Sequence, residues 1–159
     1  MRKQFRLIFA LTAGTALAVF AGGFSISIQN PSTLKDAAAR NAVVLVRADG
    51  CHNPSEANIT ATAEGLVNGV RRSIPLKLEP VSQPATFAIG HQWPAEGVWV
   101  LNLTGTYLGR DAGALVRITP GKFEKESARL FQRKVTAAEI DEALRSAQSQ
   151  VAMTAAPRT

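Results

Sequence analysis

Soft metal ligands and nucleophiles are scarce in this chain, which has one cysteine, two histidines, two methionines and one tyrosine in 159 residues. A single cysteine excludes an internal disulfide. The sequence has no Gly-x-Ser-x-Gly elbow, no pair of histidines at helical spacing and no glycine loop ending in Lys followed by Ser or Thr. Those absences remove the patterns that announce acyl transfer, zinc proteolysis and phosphate binding, so no enzyme is expected. Charge-free apolar runs are also rare: only one, Leu7 to Phe20, is long.

That run follows Arg2, Lys3 and Arg6 and is succeeded by small residues. Basic residues, a short apolar segment and small residues make the three parts of an export signal, and the segment is shorter than the roughly 20 apolar residues that span a bilayer. Cleavage is expected after Ala18, which closes Ala16-Leu17-Ala18, or after Ala21, which closes Val19-Phe20-Ala21. The alternative is an uncleaved anchor, with the apolar stretch extended to Phe24 through Gly22 and Gly23. Residues 1–21 are thus read as a signal helix, and a periplasmic or secreted destination follows, with membrane attachment only through a retained leader. A lipid-modified N-terminus is not expected, because Cys51 lies far beyond the apolar run.

The formal charge of +6 is partly a property of this leader. Three of the eighteen basic residues lie in it, which leaves fifteen against twelve acidic residues, a net of +3. Nucleic-acid recognition asks for a clustered basic face with aromatic platforms, and this composition does not supply one.

Residues 22–41 read as a connector in which Ser25-Ile26-Ser27-Ile28-Gln29 alternates like a short strand before the turn signal Asn30-Pro31-Ser32. From Ala42 onward, strand candidates are divided by Gly, Pro, Asn and Asp: 42–48, 58–64, 70–78, 86–92, 98–107 and 114–119. In the fifth, Trp99, Leu101 and Leu103 share one face and Val98 and Val100 the other, which suits a central strand. Residues 42–121 are therefore predicted to form an immunoglobulin-like antiparallel β-sandwich, with a small barrel as the alternative. Asn68-Gly69 predicts a tight hairpin, after which Arg71-Arg72 reads as a solvated strand start.

Residues 122–134 form a charged arm with Phe123, Leu130 and Phe131 embedded in it, either an edge strand or extended chain. Thr136 and Glu139 have capping-box spacing, and Val135 and Ile140 have that of a hydrophobic staple, which predicts an amphipathic helix over 135–151 starting at Ala137. Ile140, Ala143, Leu144, Ala147 and Val151 form its apolar stripe, while Asp141 and Arg145 are spaced to pair. The stripe packs on its own sandwich or, through Ile140, Leu144 and Ala147, on a partner protein of the envelope. The tail, 152–159, reads as disordered.

Cys51 and His52 are adjacent soft ligands in a loop signalled by Asp49-Gly50 and Asn53-Pro54. With His91 as a third ligand they suggest copper or zinc, if the fold gathers them. The other reading of Cys51 is a structural thiol, and of His91 a ring that satisfies a backbone group beside Trp93-Pro94. No bound cofactor is the leading expectation and copper the alternative.

The stretch from Pro84 through Phe87, His91, Trp93-Pro94 and Gly97 to Trp99 and Leu101 resembles the core hairpin of bacterial YtkA-like and FixH-like exported domains, in which an aromatic strand and a Pro and Gly turn precede Trp and alternating aliphatics. The resemblance covers residues 84–101 and implies an exported sandwich, in a group where some members are associated with copper handling or respiratory-complex assembly. This chain departs from it in having no methionine-rich or multi-histidine motif. The expected function is non-enzymatic binding or structural association in a bacterial cell envelope, with a copper carrier as the alternative.

Overall fold

A computed structural model of the chain describes residues 23–50, 53–118 and 127–155. It is an all-β sandwich with one long C-terminal helix. Nine strands are described: β1 (Ser25–Gln29), β2 (Ala42–Asp49), β3 (Asn58–Val67), β4 (Val70–Pro75), β5 (Glu79–Pro80), β6 (Thr86–Gly90), β7 (Val98–Tyr107), β8 (Arg110–Arg117) and β9 (Ala128–Phe131). A one-turn helix, α1 (Ala37–Arg40), precedes β2, and α2 (Ala137–Ala155) follows β9. The strands form a four-stranded sheet in the order β1-β2-β6-β5 and a five-stranded sheet in the order β4-β3-β7-β8-β9, and every pairing is antiparallel. The signal helix expected at residues 1–21 lies outside the described residues.

Alternation builds the core. Val44, Val46 and Ala48 of β2 face Ala61 and Ala63 of β3, Trp99, Leu101 and Leu103 of β7, and Ala112, Ala114 and Val116 of β8 across the space between the sheets. Strand β7 is central, as its two apolar faces predict: Leu101 and Leu103 fill the interior while Val100, 1% exposed, turns outward beneath α2. On the opposite surface, Leu45 and Ala88 are covered by Ala39 of α1.

Two hairpins set the register of the larger sheet. Asn68 and Gly69 take φ of 51° and 77° between β3 and β4, as the sequence predicts, and Leu108 and Gly109 take 47° and 73° between β7 and β8. Positive φ at both central residues gives the turn a twist that matches the strands. The second turn brings Arg110 and Asp111 into β8 ahead of the predicted start at Ala114, and Thr106 donates to Asp111 across the ladder at 2.7 Å.

Several expectations are corrected. The connector, 22–41, contributes β1, whose Ile26 and Ile28 are buried beside Phe24 and whose backbone pairs with β2 from Ser25↔Asp49 to Gln29↔Leu45. The sandwich thus begins near Phe24, not at Ala42, because pairing with β2 gives an alternating pentapeptide somewhere to bury its apolar half. The charged arm takes the edge-strand alternative at β9, while Phe123 lies outside the described residues. Helix α2 continues through Ala155, so residues 152–155 are helical where a disordered tail was expected.

Candidate functional site

Cys51 and His52 lie outside the described residues, but their flanks are placed. Gly50 abuts Phe24, and the Asn53 backbone N–H donates to the Tyr107 hydroxyl at 3.2 Å. Phe24 and Tyr107 pack ring to ring with centroids 5.8 Å apart. His91 sits elsewhere. It follows Gly90, whose partner Ala42 begins β2, whereas Asp49 at the other end of β2 pairs with Ser25. At about 3.3 Å per residue, the length of β2 separates these ends by roughly 23 Å. His91 and the described flanks of the Cys51-His52 loop, Gly50 and Asn53, therefore lie toward opposite ends of β2. Among the described residues no group of three His, Cys, Asp or Glu side chains is placed to hold a metal ion.

His91 is instead part of a turn. Its ring stacks on Trp93 at 4.6 Å, and its Nε2 lies 2.8 Å from the Trp93 carbonyl oxygen. A carbonyl only accepts, so Nε2 carries the proton and donates. Beside it, Gln92 Oε1 accepts from the Lys77 N–H and Gln92 Nε2 donates to the Lys77 carbonyl, both at 2.9 Å. Lys77 stands where the chain leaves one sheet for the other, and the Gln92 amide replaces the ladder partner its backbone lacks there. The groove alongside, about 410 Å³, is lined by Ala38, Asn41, Lys77, Glu79, His91 and Gln92 with two small neighbours. Its walls can hydrogen-bond a polar ligand, but the groove holds no paired carboxylates and no nucleophile beside a base. Sequence reading found His91 there and missed the rest, since a side chain bonding to a backbone 15 residues away leaves no periodic trace.

A second polar constellation lies on the outer face of the larger sheet. Glu64, 7% exposed, accepts from Thr62 and Ser73, each at 2.7 Å, and from Arg71 at 3.0 Å. Burial acts to raise the Glu64 pKa, but the hydrogen bonds from Ser73, Thr62 and Arg71 and the Arg71 charge outweigh it, and the net direction is down. Arg71 also bonds Asp141 of α2, tying helix to hairpin. Arg71 and Arg72 are exposed at the start of β4, as expected, with Arg71 serving also as a bridge. One expectation is corrected: Asp141 takes Arg71 as its ionic partner, while Arg145 donates to the Asp141 backbone carbonyl at 3.3 Å.

The helix stripe is consumed by its own sheet. Ile140 and Leu144 pack on Val100 and Leu115, and Ala147 is 5% exposed. Ile140, Leu144 and Ala147 are therefore buried on the protein's own sandwich, the first of the two packings that the sequence allows. Val151, expected to share the stripe, is 59% exposed because it lies near the free end of the helix.

The capping box forms: the Thr136 N–H donates to Glu139 at 2.9 Å, and the Glu139 N–H reaches Thr136 Oγ1 at 3.4 Å. Arg133 grips the same carboxylate with bonds of 2.7 and 2.9 Å. The Arg133 bonds, with the Thr136 N–H next, lower the Glu139 pKa from 4.5 to about 2. A lowered folded-state pKa contributes stability that is present above the unfolded value and lost as pH falls through the folded one. The first turn of α2 is thus expected to loosen between about pH 5 and pH 2, and Glu139→Gln should remove that part of the pH dependence. Amide exchange at residues 137–141 measured down the pH range checks this; identical profiles for the two proteins would refute it.

Among the described residues, no helix is long and apolar enough to cross a membrane. Comparison with known protein families, with characterised proteins and with solved structures found no match.

Proposed function

We propose that the protein is an exported, non-enzymatic β-sandwich of the bacterial cell envelope that acts by binding or by structural association. The observation that carries this reading is the position of the leader, which ends directly before a strand of the sandwich, so that a basic and apolar address is joined to one compact β body. Strand order supports the immunoglobulin-like part: β1-β2-β6-β5 facing β4-β3-β7-β8 has the succession A-B-E-D facing C′-C-F-G, with β9 added at the edge. The alternative is a copper carrier that uses the Cys51-His52 loop.

Intact mass and metal content of protein isolated from the source bacterium test both readings. Export predicts either loss of residues 1–18 or 1–21 from a periplasmic protein, or a full-length chain that fractionates with membranes. A full-length chain in the soluble cytoplasmic fraction would overturn it. Stoichiometric copper that disappears in Cys51→Ser would replace the non-metal reading with the carrier.

A further inference from the structure

The β3–β4 and β7–β8 turns of the larger sheet both have positive φ at their two central residues and differ in the first of them. At the left-handed first position one uses Asn68, φ 51°, and the other Leu108, φ 47°. Asparagine tolerates this region because its short polar side chain bonds locally, whereas leucine is conformationally disfavoured there. Leu108 is moreover 74% exposed. The turn thus holds out an apolar side chain at a position where the β3–β4 turn uses a polar one.

Its location supplies an occupant. Leu108 follows Tyr107, whose ring meets Phe24, and Phe24 is the first buried side chain after the leader. Phe24, which follows the leader closely in sequence, therefore lies at the end of the sandwich that carries this turn. Only Ala21, Gly22 and Gly23 separate Phe20 from Phe24. Their extended reach is roughly 10 Å, so a leader embedded in a bilayer keeps this end of the body at the lipid surface. The nearby charges offset one another, Arg47 with Asp49 at 3.1 Å and Lys134 with Asp111 at 3.7 Å, and present no strong field of one sign. Arg110, exposed at the foot of the turn, lies at the level of headgroup phosphates if Leu108 is inserted.

We propose that this end of the sandwich faces the bilayer and that Leu108 enters its interfacial layer for as long as the leader is embedded, whether permanently or until cleavage. The inference rests on the leader reading above. One leucine holds no protein to a membrane by itself, but a tether this short makes its insertion effectively intramolecular, and insertion then fixes how the body is oriented.

The test uses the full chain in a Cys51→Ser background, reconstituted in vesicles of mixed zwitterionic and anionic phospholipid that carry a lipid-borne quencher. An environment-sensitive fluorophore is attached at Leu108→Cys or, at the opposite end of the sandwich, at Val70→Cys. Quenching at position 108 at least threefold that at position 70 is expected, and Leu108→Asn should melt no lower than the parent. Equal quenching at the two positions in a chain that floats with the vesicles overturns the insertion and leaves the leader reading standing. A chain that does not float overturns the leader reading and the insertion with it. A lower melting temperature for Leu108→Asn would assign the leucine to the fold and also refute the proposal.

Discussion

Gly65→Ala is expected to lower the melting temperature by roughly 10–20 °C, the largest effect of any single methyl added to this protein. A Cβ at position 65 would stand 2.3 to 2.6 Å from three atoms of the Trp99 ring. The ring has nowhere to go. It is 4% exposed, Trp99 pairs with Gly65 across the ladder, and the indole N–H donates to the Glu96 carbonyl at 2.8 Å. The turn supplying that carbonyl is held in its own right, since a Cβ on Gly97 would meet the Leu66 carbonyl oxygen at 2.7 Å. Overpacking a core costs about 1–3 kcal/mol, and a broken indole bond adds about 1 kcal/mol. Against a total stability of about 5–15 kcal/mol for a domain, that is a large fraction. Trp99→Leu in the Gly65→Ala background should be less destabilising than the two single effects added, because the smaller side chain vacates the contested space. A Gly65→Ala protein that melts within about 3 °C of the parent would refute this account.

Ending the chain at Lys134 is expected to be the second severe lesion. It uncovers Val100 and Leu115, 1% and 2% exposed in the intact protein, and deletes Ile140 and Leu144, which cover them. It also removes the Asp141 carboxylate from Arg71 and the Glu139 carboxylate from Arg133. Leucine-to-alanine changes at buried sites cost about 2–5 kcal/mol, so Leu144→Ala alone should be readily measured, and loss of the whole helix should exceed it. Thermal melts together with binding of an apolar dye provide the check. A truncated chain with unchanged melting temperature and no dye binding would mean that the helix adds nothing to the sandwich.

The sequence was most readable where a local rule and the tertiary structure agree. Thr136 and Glu139 begin α2 at the residue their spacing marks, Asn68-Gly69 makes the expected hairpin, and β7 is central because apolar residues occupy both of its faces. It was least readable where a partner distant in sequence decides. The pentapeptide at Ser25 has the same alternation whether it is linker or strand, and only the backbone of β2 makes it a strand. Asp141 is spaced for Arg145 yet faces Arg71, a competition that the packing of α2 on the hairpin settles. Composition counts His91 as a soft ligand, but only the register of β2 with β1 and β6 shows how far it stands from Gly50 and Asn53.

The position of α2 bears on how the molecule is made. Strand β2 waits some forty residues for β6, and β3 waits as long for β7, so neither sheet is complete until most of the chain exists. Pairings of such separation form slowly and leave apolar surface open to other molecules in the interim. The helix that shields Val100 and Leu115 is the final described element, so during synthesis from the N-terminus this surface is the last to be shielded. A chaperone holding the nascent chain would have its longest engagement there.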